Sequence, residues 1–135
     1  MFNNLTEDQI ILEQLHCAIE LFLQNRFIPA ITLAGAAEEI LGKMVKDKDL
    51  KHAQDIIIDF IIMADRSRGR SAKQIRDDGN RVRNCLKHGI KGEIKKNIEV
   101  EAFIMIQRAI ENYQRLGKPK TKLMDTFTEA SKNIG

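Results

Sequence analysis

IEVEAFIMIQRAIENYQRLG, residues 98–117, reads as a helix before any other part of the chain is considered. Val100, Phe103, Ile106 or Gln107, Ile110 and Tyr113 recur at steps of three and four, which puts them on one stripe of a helix turning about 100° per residue. Gly117 ends the pattern, since glycine takes the positive φ of a helix stop without a Cβ penalty. Downstream, Thr121 is placed to cap a short last helix holding Leu123, Met124 and Phe127.

The same period governs the residues upstream. Thr6-Glu7-Asp8-Gln9 has the spacing of a capping box, and Ile11, Leu15, Ala18 and Phe22 follow at helical spacing, to about Gln24. Pro29 suits the first turn of a second helix, where its missing N–H costs nothing. That helix runs to about Lys46 with two apolar rows, Leu33, Ala37, Ile40 and Met44 beside Ile31, Ala34, Leu41 and Val45. Its Ala34-Gly35-Ala36-Ala37 run is small on every side, so a neighbour can approach closely and the helix belongs at the centre. Asp47-Lys48-Asp49 breaks the chain. Leu50 to Ala64 follows, with Ile56, Phe60 and Met63 on one side. Its β-branched runs would suit a strand, but no hairpin turn flanks them, so a deeply buried helix is expected. Asp65 to Ser71 reads as a loop and Ala72 to His88 as helical, with a break at Asp78-Gly79-Asn80 and a stop at Gly89. The prediction is an all-α fold: an antiparallel bundle of four to five helices plus a short C-terminal helix, one domain over residues 1–135.

With 135 residues, 43% of them hydrophobic and 30% charged, the composition is that of a globular domain able to bury a core without disulfides or metals. No apolar run reaches the roughly 18 residues of a membrane span. Met1 to Gln9 lacks the basic start and apolar run of a signal peptide, so a cytoplasmic location is expected. Cys17 and Cys85 are expected to be small buried side chains in a reducing compartment. His16, Cys17, His52, Cys85 and His88 show no paired metal-ligand spacing. Asp77 and Asp78 are neighbours that would point apart on a helix and are expected to open it or to sit on a loop. No phosphate-cradling glycine loop or nucleophile elbow occurs. No metal and no cofactor is therefore expected.

Charge is unevenly spread. Arg66 to Lys96 holds eleven Lys/Arg and three Asp/Glu, a surplus of +8; the rest holds eleven and sixteen, −5, and the two sum to the chain's +3. A basic block on an acidic body suits a large anion such as a nucleic-acid backbone. The candidate RNA contacts are Arg66, Arg68, Arg70, Lys73, Arg76, Arg81, Lys87 and Lys91, which would strengthen binding with a steep salt dependence. Aromatic residues are few, and Phe27 and Tyr113 are the candidates for base stacking.

Within this block Arg83-Asn84-Cys85-Leu86-Lys87-His88 carries the parts that phosphodiester chemistry needs. A guanidinium holds phosphate by paired hydrogen bonds and stabilises charge gained in the transition state. A histidine moves protons to and from the reacting oxygens, and an amide can orient it. Asn84 and His88, four apart, share a helix face, whereas Arg83 and His88 sit roughly 140° apart around the axis. A bend, a long side chain or a second copy must bring those two together. Glu38 lies on the Ile31, Ala34, Leu41, Val45 row. A half-buried carboxylate needs a partner, and an arginine of the motif helix is the expected one. Glu39, beside Thr32 and Lys43, is expected in solvent.

Arg83 to His88 resembles the R-N-x-x-x-H motif of HEPN domains. Ala34 to Gly42, Arg108 to Tyr113 and Met124 to Phe127 resemble the second and last two helices of bacterial HEPN-like proteins, so the resemblance spans most of the chain. It implies a dimerising helical bundle and, for many members, a metal-independent endoribonuclease of toxin or phage-defence systems. The motif helices of two copies form a composite cleft, and the 2′-hydroxyl of RNA attacks the adjacent phosphate. By motif position, Arg83 would bind the phosphate, His88 would shuttle the proton and Asn84 would orient. A homodimer, RNA, and an antitoxin or nucleotidyltransferase are the partners so implied. Some toxin members carry a Tyr two residues past the His that such a nucleotidyltransferase modifies with AMP; Ile90 stands there instead. The alternative is a catalytically silent HEPN domain that binds RNA, a nucleotide or a partner protein.

Overall fold

A computed structural model gives six helices among the residues it describes: α1 Glu7–Leu23, α2 Phe27–Asp47, α3 Ala53–Met63, α4 Ala72–His88, α5 Ile98–Arg115 and α6 Lys122–Ser131. It describes residues 3–64 and 68–132, and among the described residues there is no strand. Five helices start at a residue whose side chain accepts a backbone N–H three positions on: Thr6, His52, Ser71, Asn97 and Thr121. Each such cap satisfies one of the donors a helix start leaves open. At Thr6 and Ser71 the box closes fully, because Gln9 and Gln74 reach back to the cap amide. α2 has no side-chain cap and begins on Arg26, with Pro29 in its first turn. Gly89 and Gly117, at φ +85° and +80°, follow α4 and α5.

α2 is the central helix, packed against α1, α4 and α5. Its Ile31, Ala34, Ala37, Leu41 and Val45 meet Ile11, Leu15 and Ile19 of α1 and Ile106 and Ile110 of α5 in one buried cluster, which α6 closes with Met124 and Phe127. Phe127 packs edge-on to Phe22 at 5.2 Å between ring centroids and is stacked on Phe103 at 5.8 Å. α4 adds little apolar surface; Ile75 and Val82 are its buried residues. Among the described residues, no helix is long and apolar enough to cross a membrane.

Several expectations are corrected. α4 runs unbroken through Asp78-Gly79-Asn80, and Asp77 and Asp78 lie within it rather than opening it. Gly79 is a site of close approach, since a Cβ there would stand 3.3 Å from Gln54 Nε2 and 4.0 Å from Arg108 Nη1. α3 is a helix but not a deeply buried one. It packs on α4 and α5 alone among the larger interfaces, so Ile58 is buried while Phe60 and Met63 are 64% and 85% exposed. Cys17 and Cys85 are half-buried free thiols rather than core residues. On α5 the buried face is rotated from the expected row: Gln107, Val100 and Phe103 are half-buried, and Ala102, Met105 and Ala109 line the core.

The small run on α2 receives a side chain. A Cβ on Gly35 would lie 2.5 Å from Cδ and 2.8 Å from Cγ of Arg83, so the stem of that arginine lies directly on the α2 backbone. Gly35→Ala should therefore cost about 1–3 kcal/mol of stability, as overpacking does. The clashing atoms are mid-chain, and their far end is held by Glu38, so they cannot swing away freely. Urea denaturation checks this; an unchanged midpoint would mean that Arg83 leaves its place without penalty.

Candidate functional site

α4 divides its residues among three sides. Ile75 and Val82 point inward. Arg76, Asn80 and Arg83, at steps of four and three, face α2, α3 and α5. Asp78, Arg81, Asn84, Cys85 and His88 line an open depression of about 420 Å³ on the outer side. Asn84 and His88 thus share a face, as their spacing of four requires, and both are exposed.

Arg83 turns the other way. Its Nη1 donates to Glu38 Oε2 at 2.9 Å, and Arg108 Nη2 of α5 donates to the other carboxylate oxygen at 2.9 Å. Glu38 is 4% exposed and Arg108 3%, so α2, α4 and α5 are tied through one buried carboxylate held between two guanidiniums. The pairing of Glu38 with a motif arginine is present, and Glu38 is fully rather than half buried. Arg108 also donates to Asn80 Oδ1 at 3.0 Å and to the Gly79 carbonyl at 3.4 Å. Gln54 of α3 donates to Asn80 Oδ1 at 3.1 Å. Among the described residues, Glu38 is the one hydrogen-bond partner of Arg83. Within one chain, Arg83 and His88 line separate depressions.

His52 caps α3 beside this network. Its Nδ1 accepts from the Asp55 amide at 3.4 Å, and its Nε2 lies 3.2 Å from Asp55 Oδ2, an arrangement that fits the neutral Nε2–H tautomer. Burial lowers its pKa from 6.5; Asp55 and Glu38 pull it up, and Lys46 and Arg108 push it down. Because the folded form resists protonation, His52 should leave stability intact above pH 6.5 and reduce it as pH falls below that value toward the folded-state pKa. His52→Asn keeps a capping side chain and should flatten that slope. An equal acid slope in both proteins, by urea midpoint against pH, would remove His52 as its source.

The expected RNA contacts are unequal. Arg66 lies outside the described residues. Arg68, Arg81 and Lys91 are exposed. Arg70 lies 2.6 Å from Asp78, Lys73 3.2 Å from Asp77, Arg76 3.2 Å from Asp55 and Lys87 4.0 Å from Glu39. Tyr113 is buried, and Phe27 packs edge-on to Phe22 at 5.3 Å, so both serve the core rather than offering a face to a base. Among the described residues, no group of three or more His, Cys, Asp or Glu is placed to hold a metal ion.

Sequence reasoning gave no site role to Arg108, Asn112, Gln54 or His52, all buried polar residues. Asn112 Oδ1 accepts the Ala53 amide at 2.7 Å and so fastens the start of α3 to α5. The available signal was polar residues in an apolar stripe: Arg108 and Asn112 are four apart and flank Ala109 on the core side. No protein-family model matches the chain, and neither the curated proteins nor the solved structures include a significant match to it.

Proposed function

We propose that this chain is a HEPN-type domain that cuts RNA without a metal ion, as a homodimer and as part of a toxin or phage-defence system. The observation that carries this reading is the outer end of α4, where exposed His88 and Asn84 share a depression with Arg81. An imidazole so placed can take the proton of a 2′-hydroxyl. The 2′-oxygen then bonds to phosphorus, the bond to the 5′-oxygen breaks, and that oxygen receives a proton. The products are a 2′,3′-cyclic phosphate and a 5′-hydroxyl. Because Arg83 and His88 of one chain open on different sides, the transition-state charge has to be met by Arg81 or by an arginine of a second copy. Arg68 and Lys91 extend the cationic surface for the RNA backbone.

The test is incubation of purified protein with transfer RNA in EDTA, with end-group analysis. Cleavage that leaves cyclic phosphate ends supports the reading; cleavage only on addition of a divalent metal contradicts it. A second reading, a catalytically silent domain that binds RNA, a nucleotide or a partner protein, is favoured by the bond from Arg83 to buried Glu38, which turns the motif arginine away from the histidine. RNA binding without cleavage would support it.

A further inference from the structure

We propose that the cleft between α2, the start of α3 and α4 is a binding site for a phosphoryl group, separate from the His88 face. The cleft has a volume of about 210 Å³. Lys43 and Lys46 enter it from α2, and Arg76 and Arg83 from α4. Two carboxylates also line it, Glu38 and Glu39. Glu38 is taken by Arg83 and Arg108, and Glu39 lies 4.0 Å from Lys87. Arg76 meets Asp55 through one nitrogen. Lys43 and Lys46 have no ion-pair partner among the described residues, so the cleft keeps a cationic surplus.

The interior adds to that surplus. Two guanidiniums share the single Glu38 carboxylate, which leaves one positive charge in excess next to the cleft. Buried charge without compensation is costly, and an anion against the open edge of Arg83 would supply the compensation. His52 and Gln54, at the start of α3, also line the cleft, but the Ala53 and Asp55 amides there are taken by Asn112 and His52, so the side chains of Lys43, Lys46, Arg76 and Arg83 carry the site. Size selects the ligand class. The volume is below the roughly 300–1,000 Å³ of pockets that hold drug-sized ligands, so the cleft suits a phosphoryl group more than a whole nucleotide. Arginine offers forked donors to its oxygens and lysine a point charge.

The site does not depend on RNA cleavage. Its phosphoryl group could come from a free phosphate ester or from the end of an RNA chain, and both would be recognised by the same groups. The test is an NMR titration of ¹⁵N-labelled protein with inorganic phosphate at constant ionic strength, read at the α3 amides and at Arg83 Nε. Saturable shifts are expected in the wild type. Lys43→Glu combined with Lys46→Glu should weaken binding at least about tenfold without altering the melting temperature, since both side chains are exposed. Arg83→Gln should weaken it similarly. In a His88→Ala background, 5′-phosphorylated and 5′-hydroxyl RNA oligomers are then compared with a nucleoside monophosphate. Preference for the phosphorylated oligomer that is lost in the lysine pair variant identifies a chain end. Equal weak binding of both oligomers with tighter binding of the monophosphate identifies a free ester. Absence of saturable shifts in folded wild type, or undiminished binding in the lysine pair variant, overturns the site. Either result is distinguishable from loss of ribonuclease activity, because phosphate binding is read without any turnover.

Discussion

Glu38→Ala should lower the unfolding free energy by about 3–5 kcal/mol, the usual result of stripping one partner from a buried ion pair. Glu38 bridges Arg83 and Arg108 at 2.9 Å each, so its loss leaves two guanidiniums facing each other. Arg83, with 15% of its side chain exposed, can turn toward water; Arg108, at 3%, cannot. Most of the penalty therefore falls on Arg108, whose Nε already lacks a hydrogen-bond partner among the described residues. The melting temperature should drop by about 10–20 °C for a domain of this size. Glu38→Gln keeps one acceptor and should fall between Ala and wild type. Glu38→Leu with Arg108→Met removes charge from both sides, and the pair should be less damaging than the sum of the single changes. A loss under about 1 kcal/mol for Glu38→Ala would show that the network does not hold the helices together.

His88→Ala should reduce RNA cleavage in EDTA by about 10²–10⁴-fold, the span a positioned general acid or base contributes. Stability should move by no more than about 0.5 kcal/mol, since the imidazole is exposed and has no hydrogen-bond partner among the described residues. The pairing of these two outcomes separates chemistry from folding. Cleavage at the wild-type rate by a folded His88→Ala protein would remove the outer face of α4 from the reaction. Parallel loss of cleavage and of the folded state would point to a structural role.

The helices were legible because their signals are local. The Thr6 box, the Thr121 cap, Gly89 and Gly117 each act through hydrogen bonds or φ angles within a few residues. The burial of Glu38 could be anticipated from its apolar row. The continuity of α4 could not. Gly79 and Asn80 have weak helix propensity, and what retains them is Arg108 and Gln54 on other helices. α3 shows the converse: its isoleucines indicate an apolar helix, but how much of it is covered depends on which elements reach it.

By itself the sequence determined the all-α class, the approximate helix limits, the basic block and the shared face of Asn84 and His88, because helical period and capping are properties of neighbours along the chain. Only the tertiary structure decided that Arg83 turns from His88 onto Gly35 and Glu38, that Arg108 completes the buried triad, and that Lys43, Lys46 and Arg76 share a cleft with Arg83. Those arrangements join residues from separate helices. An ion pair in the interior is set by the packing that excludes water around it, and no spacing along one helix encodes that packing.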